Sequence, residues 1–275
     1  MNVLAIGASK NIGYYACLRL LASGCNVTFM LRSTSVCNSD ESIQGYVQSG
    51  KAHLIKGDAL IEDDVKHARD EALTYGALDL VLFTVGGAPS FSATKGLVIT
   101  PANLVTQCLL NVLCTISTQS PQPKLVAISV AGVTSSARAK IPLVVKPIYS
   151  LIEVPRIDKK GAERAISHIA GWKWDADKDG EPGVDIMGSS QWMEREGFPA
   201  EGTFKNVLVI RPALLTDGEC KADKAQAKGK TGYKVQEGDP SGVYTISRKD
   251  VAHFVADAVL NRWNEYQNKC VTIGY

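Results

Sequence analysis

The sequence predicts a single α/β domain, built on a doubly wound parallel sheet with helices on both faces. Three observations predict it. Apolar strand segments alternate with helical segments up to residue 130, a glycine-containing loop follows the first strand, and 275 residues with 45% hydrophobic content suffice for one large core. Because crossovers between parallel strands are right-handed, the doubly wound Rossmann topology follows, with a small C-terminal region on the substrate side.

The predicted elements follow from the apolar runs and their breaks. Short runs bounded by Gly, Asp or Ser indicate strands, and longer runs of helical period indicate helices. The strand segments are Asn2–Ile6, Asn26–Leu31, Ala52–Ile55, Leu78–Phe83, Lys124–Val130, Val207–Ile210 and Cys270–Ile273. The helical segments are Ile12–Leu21, Val65–Leu73, Pro101–Thr118, Pro142–Ile169 with interruptions at Pro147 and Pro155, and Ser247–Trp263.

Composition argues against several classes of function. The net charge is +2 with both signs mixed along the chain, which argues against a nucleic-acid partner. No apolar run reaches the roughly 18 residues that span a bilayer. We expect no signal peptide, because neither a basic leader nor a small-residue cleavage site accompanies the first strand. We therefore expect a cytoplasmic protein without a membrane partner.

Cysteine and histidine usage argues against a metal centre. The seven cysteines are scattered without a CxxC pair, which is typical of buried thiols in a reducing compartment. The four histidines lack ligand spacing relative to acids or cysteines, so we expect them to be structural or exposed. They are His53, His67, His168 and His253.

The loop between the first strand and the first helix is the candidate phosphate-binding site. Small residues there let the backbone approach a pyrophosphate, and the helix N-terminus offers N–H groups and partial positive charge. Asn11 stands where the pattern Gly-x-x-x-Gly-x-Gly has its middle glycine, and Asn tolerates left-handed backbone. In an alternative register Lys10 takes that place. The predicted contact residues are Gly7, Ser9, Lys10, Asn11, Ile12 and Gly13.

The end of the second strand predicts NADP(H) rather than NAD(H). NAD-binding proteins place an acid there to hold the ribose 2′-hydroxyl, and this segment has none. Arg32 can instead pair with a 2′-phosphate, helped by Lys10 and the Ser33 hydroxyl. Apart from its position, Arg32 would be typical of a solvated surface cation.

Several segments resemble the short-chain dehydrogenase/reductase superfamily, in particular its atypical, NmrA-like branch. The glycine loop carries the first part of the resemblance. Residues 209–218 are similar to the branch's sixth strand with its Arg-Pro turn, and residues 246–252 to its Ser-Arg-x-Asp-Val-Ala helix start, where we expect Ser247 and Asp250 to cap a helix. The resemblance covers nearly the whole chain outside residues 171–205.

The resemblance implies further cofactor contacts. It places an acid near the adenine after the third strand, which corresponds to Asp58 and Ala59, although a helix-capping Asp is an alternative. After the fourth strand it places backbone near the nicotinamide-side ribose, which corresponds to Thr84, Val85 and Gly86, although a plain loop would also fit.

The catalytic pattern departs from the best-known family members. Ser129 matches the family's serine, and Lys159 with Glu163 matches its Lys-x-x-x-Glu, so the resemblance implies that Ser129 and Lys159 lie near the nicotinamide and its ribose. The alternatives are a strand-end hydroxyl that bonds to backbone for Ser129 and a solvated helix cation for Lys159. Pro155 stands where Tyr-x-x-x-Lys would place the tyrosine. Tyr149 is a candidate substitute acid, with simple packing as the alternative.

Residues 171–205 form an insertion before the sixth strand, where this fold builds its substrate side. Its aromatic and methionine side chains predict an apolar substrate pocket or lid; a contact surface for a partner and a plain surface excursion are the alternatives. These side chains are Trp172, Trp174, Met187, Trp192, Met193 and Phe198.

The predicted function is an NADPH-dependent oxidoreductase that acts on a small carbonyl or conjugated substrate, as a monomer or homodimer. Two alternatives remain because the tyrosine is missing. One is a non-catalytic NADP-sensing regulatory protein, and the other is a non-redox isomerase or lyase on the same fold.

Overall fold

The computed structural model describes residues 1–87, 90–92, 96–116, 119–134, 153–226, 231–238 and 242–275. The strands are β1 (Asn2–Ile6), β2 (Asn26–Leu31), β3 (Ala52–Lys56), β4 (Leu80–Phe83), β5 (Ser90–Ser92), β6 (Gly96–Val98), β7 (Lys124–Ile128), β8 (Val207–Pro212), β9 (Leu214–Thr216), β10 (Lys234–Glu237), β11 (Thr245–Ser247) and β12 (Lys269–Gly274). The α-helices are α1 (Asn11–Ala22), α2 (Glu41–Gln48), α3 (Glu62–Leu73), α4 (Leu104–Ile116), α5 (Glu153–Ala170), α6 (Ala176–Asp179), α7 (Val184–Met187), α8 (Lys221–Gln226), α9 (Arg248–Leu260) and α10 (Trp263–Tyr266).

Eight strands form one sheet in the order β3-β2-β1-β4-β7-β8-β12-β10. Seven of them are parallel, and the edge strand β10 pairs antiparallel with β12. The sheet grows outward in both directions from β1, because β1 lies between β2 and β4, so a topological switch point lies between β1 and β4. This order confirms the predicted doubly wound sheet.

The sheet separates two apolar layers, because successive side chains of a strand point to opposite faces. In β1, Val3 and Ala5 pack toward α1 and α9, whereas Leu4 and Ile6 pack toward α3, α4 and α5. All five residues of β1 are buried, as expected for a central strand that is covered on both sides. The continuous apolar runs of the sequence therefore form the middle of the core.

The helix α5 corrects one sequence prediction. We expected Pro155 to interrupt a helix, yet α5 runs from Glu153 through Ala170. Pro155 is the third residue of α5, where the missing backbone N–H would have had no partner within the helix in any case. Pro147, the other expected break, lies outside the described residues.

The start of α9 confirms that Ser247 caps the helix, because its hydroxyl accepts the backbone N–H of Asp250 at 3.0 Å. The Asp250 side chain forms hydrogen bonds with other elements. Its buried carboxylate accepts the backbone N–H of Ala222 at 2.8 Å, at the start of α8, and the hydroxyl of Tyr275. Asp250 thus fastens α8 and the last strand to α9.

The insertion packs along the outer side of α4 and α5. Trp192 and Met187 are buried there in the same apolar layer as these helices, and Arg164 of α5 lies against the rings of Trp174 and Trp192. Just before the first residue of α4, the side chain of Asn103 donates to the carbonyl of Asp185. The α7 region therefore reaches the first turn of α4, and the substrate lid stays a prediction. Among the described helices, none has the length and apolarity that crossing a membrane requires.

Candidate functional site

The carboxyl ends of five adjacent parallel strands bring the predicted site residues to one edge of the sheet. From β3 to β7 in spatial order, the loops after the strands carry Asp58, Arg32, Gly7, Thr84 and Ser129. Ligands of doubly wound proteins bind at this edge, beside the switch point. The fold therefore collects into one place residues that lie more than a hundred positions apart in the chain.

The glycine loop, residues 7–13, forms a cradle that side chains would fill. Gly7 has φ of +82°, and a Cβ on it would lie 2.5 Å from the backbone nitrogen of Val85. A Cβ on Gly13 would lie 2.2 Å from the Thr84 hydroxyl. Asn11 has φ of +58°, so this Asn does adopt the left-handed backbone that we expected of it at the middle glycine position.

The first turn of α1 leaves backbone amides available to an anion. Lys10 precedes the helix and makes no side-chain capping bond, and the first turn holds no acidic residue. Ser9, Lys10 and Asn11 are exposed, while Ile12 and Gly13 are buried. Unpaired N–H groups at a helix start, next to a cradle without side chains, fit the pyrophosphate of a dinucleotide.

The end of β2 is basic and polar. Arg32 and Ser33 are exposed, and the Ser33 hydroxyl lies 2.7 Å from that of Ser35. The first acid after β2 is Asp40, whose carboxylate caps α2 by accepting the N–H of Ile43 at 3.0 Å. No carboxylate of residues 31–39 is therefore present to hold a ribose 2′-hydroxyl, and the exposed guanidinium fits a phosphate instead.

The loop after β3 is held by its own hydrogen bonds. The Asp58 carboxylate accepts the backbone N–H of Leu60 at 3.0 Å, and the Asp64 carboxylate accepts that of Asp58 at 2.8 Å. Asn111 of α4 donates to the carbonyl of Ala59. Asp58 thus stabilises its turn, and its adenine contact remains a prediction.

The loop after β4 lies against the glycine loop. The backbone N–H of Thr84 bonds to the carbonyl of Ile6 at 2.9 Å, which extends the sheet by one residue. Gly86 is exposed, and a Cβ on it would meet no atom of the described residues within 4 Å, whereas a Cβ on Gly87 would lie 2.1 Å from the Ile99 side chain. Gly87 is thus required by packing against Ile99, whereas Gly86 has no such packing contact with the described residues.

A buried polar cluster, formed by Ser129, Glu163 and Arg211, follows β7 at the same edge. The Arg211 Nε lies 3.0 Å from Glu163 Oε1, and its terminal nitrogen donates to Oε2, so the two side chains form a bidentate ion pair. Ser129 bonds to the same carboxylate. All three residues are at most 8% exposed.

Sequence reasoning gave Glu163 and Arg211 no role in the site. Each appears in a family-like motif, Lys-x-x-x-Glu or Arg-Pro, but their contact joins residues 48 positions apart. The four-residue spacing of Lys159 and Glu163 could have indicated a role for Glu163, because it places both side chains on one face of a helix.

Lys159 lies beside this cluster. Its ammonium donates to the carbonyl of Ile128 at 2.7 Å, and burial lowers the pKa of Lys159 to about 8, against the opposing effect of the Asp158 and Glu163 charges. The buried Asp158 carboxylate caps α4 through the backbone N–H groups of Val105 and Thr106, at 2.7 and 2.8 Å. Asp158 thereby fixes α5, and with it Lys159, against α4. Tyr149 lies outside the described residues.

Cysteines and metal ligands do not add to the site. Six of the seven cysteines are buried. Burial raises the pKa of the Cys108 and Cys220 thiols to about 12, so neither is a nucleophile near neutral pH. In the part of the chain that the structure describes, no three His, Cys, Asp or Glu side chains form a metal-binding group.

Solved structures share this architecture over nearly the full chain. An anaerobillin reductase, ChuY from Escherichia coli O157:H7, superposes with a TM-score of 0.58 at 15% identity, covering 98% of this chain and 95% of its own. A short chain dehydrogenase from Burkholderia cenocepacia in complex with NADP superposes with a TM-score of 0.55 at 16% identity, covering 98% and 95%. The chain has the fold of the short-chain dehydrogenases/reductases.

Comparison by sequence gives one further likeness. The chain is 32% identical over 156 residues to Reductase pytE of Aspergillus terreus, which is 56% of this chain. The match spans 48% of that relative, so about half of its length has no counterpart in the alignment. No family model matches the chain.

Proposed function

We propose that this chain is an NADP(H)-dependent oxidoreductase that reduces a small carbonyl or conjugated substrate at the carboxyl edge of the sheet. One observation carries the proposal: a glycine cradle at a free helix start lies beside an exposed Arg32, at the place where an acid would select NAD(H). The likeness to Reductase pytE and to an NADP-bound dehydrogenase supports the same assignment.

Each loop at the carboxyl edge binds a different part of the dinucleotide. The glycine loop holds the pyrophosphate through the backbone amides of Gly7, Ser9, Lys10, Asn11, Ile12 and Gly13. Arg32, with Lys10 and Ser33, pairs with the 2′-phosphate. Asp58 and Ala59 lie at the adenine, Thr84, Val85 and Gly86 at the nicotinamide-side ribose, and Ser129 and Lys159 beside the nicotinamide. When bound, the cofactor supplies a hydride, and the protein supplies orientation and charge.

Cofactor selection is tested by titrating the protein with NADPH and with NADH, following cofactor fluorescence. The variant is Arg32→Glu, and Lys51→Glu is the matched control, because it makes the same charge change on an exposed lysine at the opposite end of β3. We expect NADPH to bind at least about tenfold tighter than NADH, the effect of a charge-assisted phosphate contact. Arg32→Glu abolishes this preference, and Lys51→Glu leaves it intact.

Turnover is then tested with a panel of carbonyls and enones, by the loss of NADPH absorbance. In the titration, equal affinity for NADPH and NADH would contradict the proposed preference for NADP(H). Absence of binding by either would remove the oxidoreductase proposal as a whole. Tight and equal binding of NADP⁺ and NADPH, with no turnover of any substrate, would favour the sensing role instead.

A further inference from the structure

The direction of one hydrogen bond limits what Ser129 can do. The Glu163 carboxylate forms a bidentate pair with the Arg211 guanidinium, and both of its oxygens act as acceptors there. The single hydroxyl proton of Ser129 is therefore donated to Glu163. Toward the edge of the sheet, Ser129 presents lone pairs and no proton. It can accept a hydrogen bond from a ligand, but it cannot stabilise charge that develops on a substrate oxygen.

Lys159 has the opposite property. Its ammonium carries three donor protons, and the described structure uses one of them, for the carbonyl of Ile128. The two neighbouring carboxylates are engaged elsewhere, Asp158 by the amides of α4 and Glu163 by Arg211. Among the described residues Lys159 has no ion-pair partner, although it is partly exposed at the edge.

Both residues line one small cavity under the carboxyl edge. The cavity lies between α4, α5, the ends of β4 and β7, and the middle of β8, and apolar side chains such as Phe83 and Leu109 form the rest of its wall. The cavity has room for about one water molecule, so its apolar wall keeps bulk water from this side of the Lys159 ammonium. The donor that the described structure presents there is Lys159.

We propose that Lys159, and not Ser129, polarises the reacting oxygen of the substrate and delivers the proton, while Glu163 and Arg211 hold Ser129 as an acceptor. The inference rests on the proposed reductase function. In the step, the carbonyl carbon gains a hydride from NADPH, which becomes NADP⁺, and the carbon–oxygen π electron pair moves to the oxygen. An N–H bond of Lys159 breaks as the O–H bond of the alcohol forms, and the neutral amine regains a proton from water.

The charges around Lys159 suit a group that gives and regains a proton. From its own helix Asp158 and Glu163 face it and favour the ammonium, and Arg211 of β8 balances Glu163. Desolvation outweighs these carboxylates and brings the pKa of Lys159 to about 8, close to the operating pH that general acid catalysis needs.

A first experiment needs no substrate. The full chain is acylated with trace acetic anhydride at several pH values, with and without NADPH, and the modification of each lysine is read by peptide mass spectrometry. We expect Lys159 to reach its full reactivity about two pH units below the surface lysines and to be protected by NADPH. Reactivity of Lys159 that rises in parallel with the surface lysines, without protection, overturns the proposal.

A second experiment separates the two residues with the substrate found in the panel. At saturating NADPH we expect Lys159→Met and Lys159→Arg to lose roughly 10²–10⁴-fold in kcat, since neither side chain releases a proton. Ser129→Ala loses less than about tenfold and keeps the fall of kcat above pH about 8. Activity that survives in Lys159→Arg, or a larger loss in Ser129→Ala than in Lys159→Met, overturns the assignment. Absence of NADPH oxidation by the wild type would instead overturn the proposed function.

Discussion

The two ends of the candidate site are built in different ways. At the phosphate end, backbone geometry forms the site, through the positive φ of Gly7 and Asn11 and the close packing of Gly13. At the other end, where the proton is transferred, the site is a network of buried side chains, and we call this the side-chain end. Its members Ser129, Glu163 and Arg211 come from three separate elements. A backbone cradle tolerates exchange of its exposed side chains. A buried ion pair, by contrast, is strongly destabilised when only one of its two charged members is removed.

We expect the greatest loss of stability when the ion pair at the side-chain end is broken. Glu163→Ala removes the carboxylate that pairs with the buried Arg211 guanidinium, and we expect the free energy of unfolding to fall by about 3–5 kcal/mol in urea denaturation. Glu181→Ala is the matched control, because Glu181 pairs with Arg164 of the same helix at the surface, and its loss costs less than about 1 kcal/mol.

A double variant sharpens this result. Replacing Glu163 and Arg211 together by Met removes both charges, so we expect it to lose less stability than Glu163→Ala alone. If the single and double variants lost equal stability, the cost would come from altered packing, and the charge pair would not explain it.

The second expected effect tests the backbone end. Gly13→Ala places a methyl group against Thr84 and Ala8, and we expect a loss of about 1–3 kcal/mol in the free energy of unfolding. Gly45→Ala is the matched control, since Gly45 is an exposed helical glycine of α2 with nothing within 4 Å of a Cβ, and it gains up to about 1 kcal/mol. A neutral Gly13→Ala would mean that the cradle has room to relax.

This contrast explains what the sequence could predict. The doubly wound parallel sheet and the glycine loop follow from local patterns: continuous apolar strands, small residues after β1, and an Asn where left-handed backbone is needed. The antiparallel edge strand β10 was not predicted. The insertion had no clear period, and its contacts with α4 and α5 needed the structure. The hairpin of β5 and β6 was also missed, because its strands have three residues each.

The side-chain network could not be predicted in the same way. Ser129 and Glu163 are 34 residues apart, and nothing local reports that the hydroxyl proton is donated to that carboxylate. The same holds for Asp158, whose carboxylate caps a helix that begins more than fifty residues earlier. The residue types were visible in the sequence, but their pairing depends on the tertiary packing of α4, α5 and β8.

The third expected effect is a pH dependence that arises at the side-chain end. The folded pKa of Lys159, about 8, lies below the ordinary lysine value of about 10.4, so the unfolded chain binds more protons between these values. The cost of burying the ammonium is fully present below pH about 8 and is relieved as the pH rises through that window. We expect the free energy of unfolding of the wild type, relative to Lys159→Met, to rise by about 3 kcal/mol across it. Lys159→Arg, which keeps its charge, should show no such rise, and a flat difference for the wild type would show that Lys159 is not desolvated.

A substitution in the loop after β4 should alter cofactor binding at the phosphate end with little change in stability. A methyl group on Gly86 meets no atom of the residues that the structure describes, so we expect Gly86→Ala to change the free energy of unfolding by less than about 0.5 kcal/mol. If this loop passes close to the nicotinamide-side ribose, the same methyl group lowers NADPH affinity by about tenfold, which corresponds to about 1.4 kcal/mol. Titration of both proteins by cofactor fluorescence measures the difference. Unchanged affinity in a stable variant would place the cofactor farther from β4, and the cradle of Gly7 and Gly13 would then hold the pyrophosphate without help from this loop.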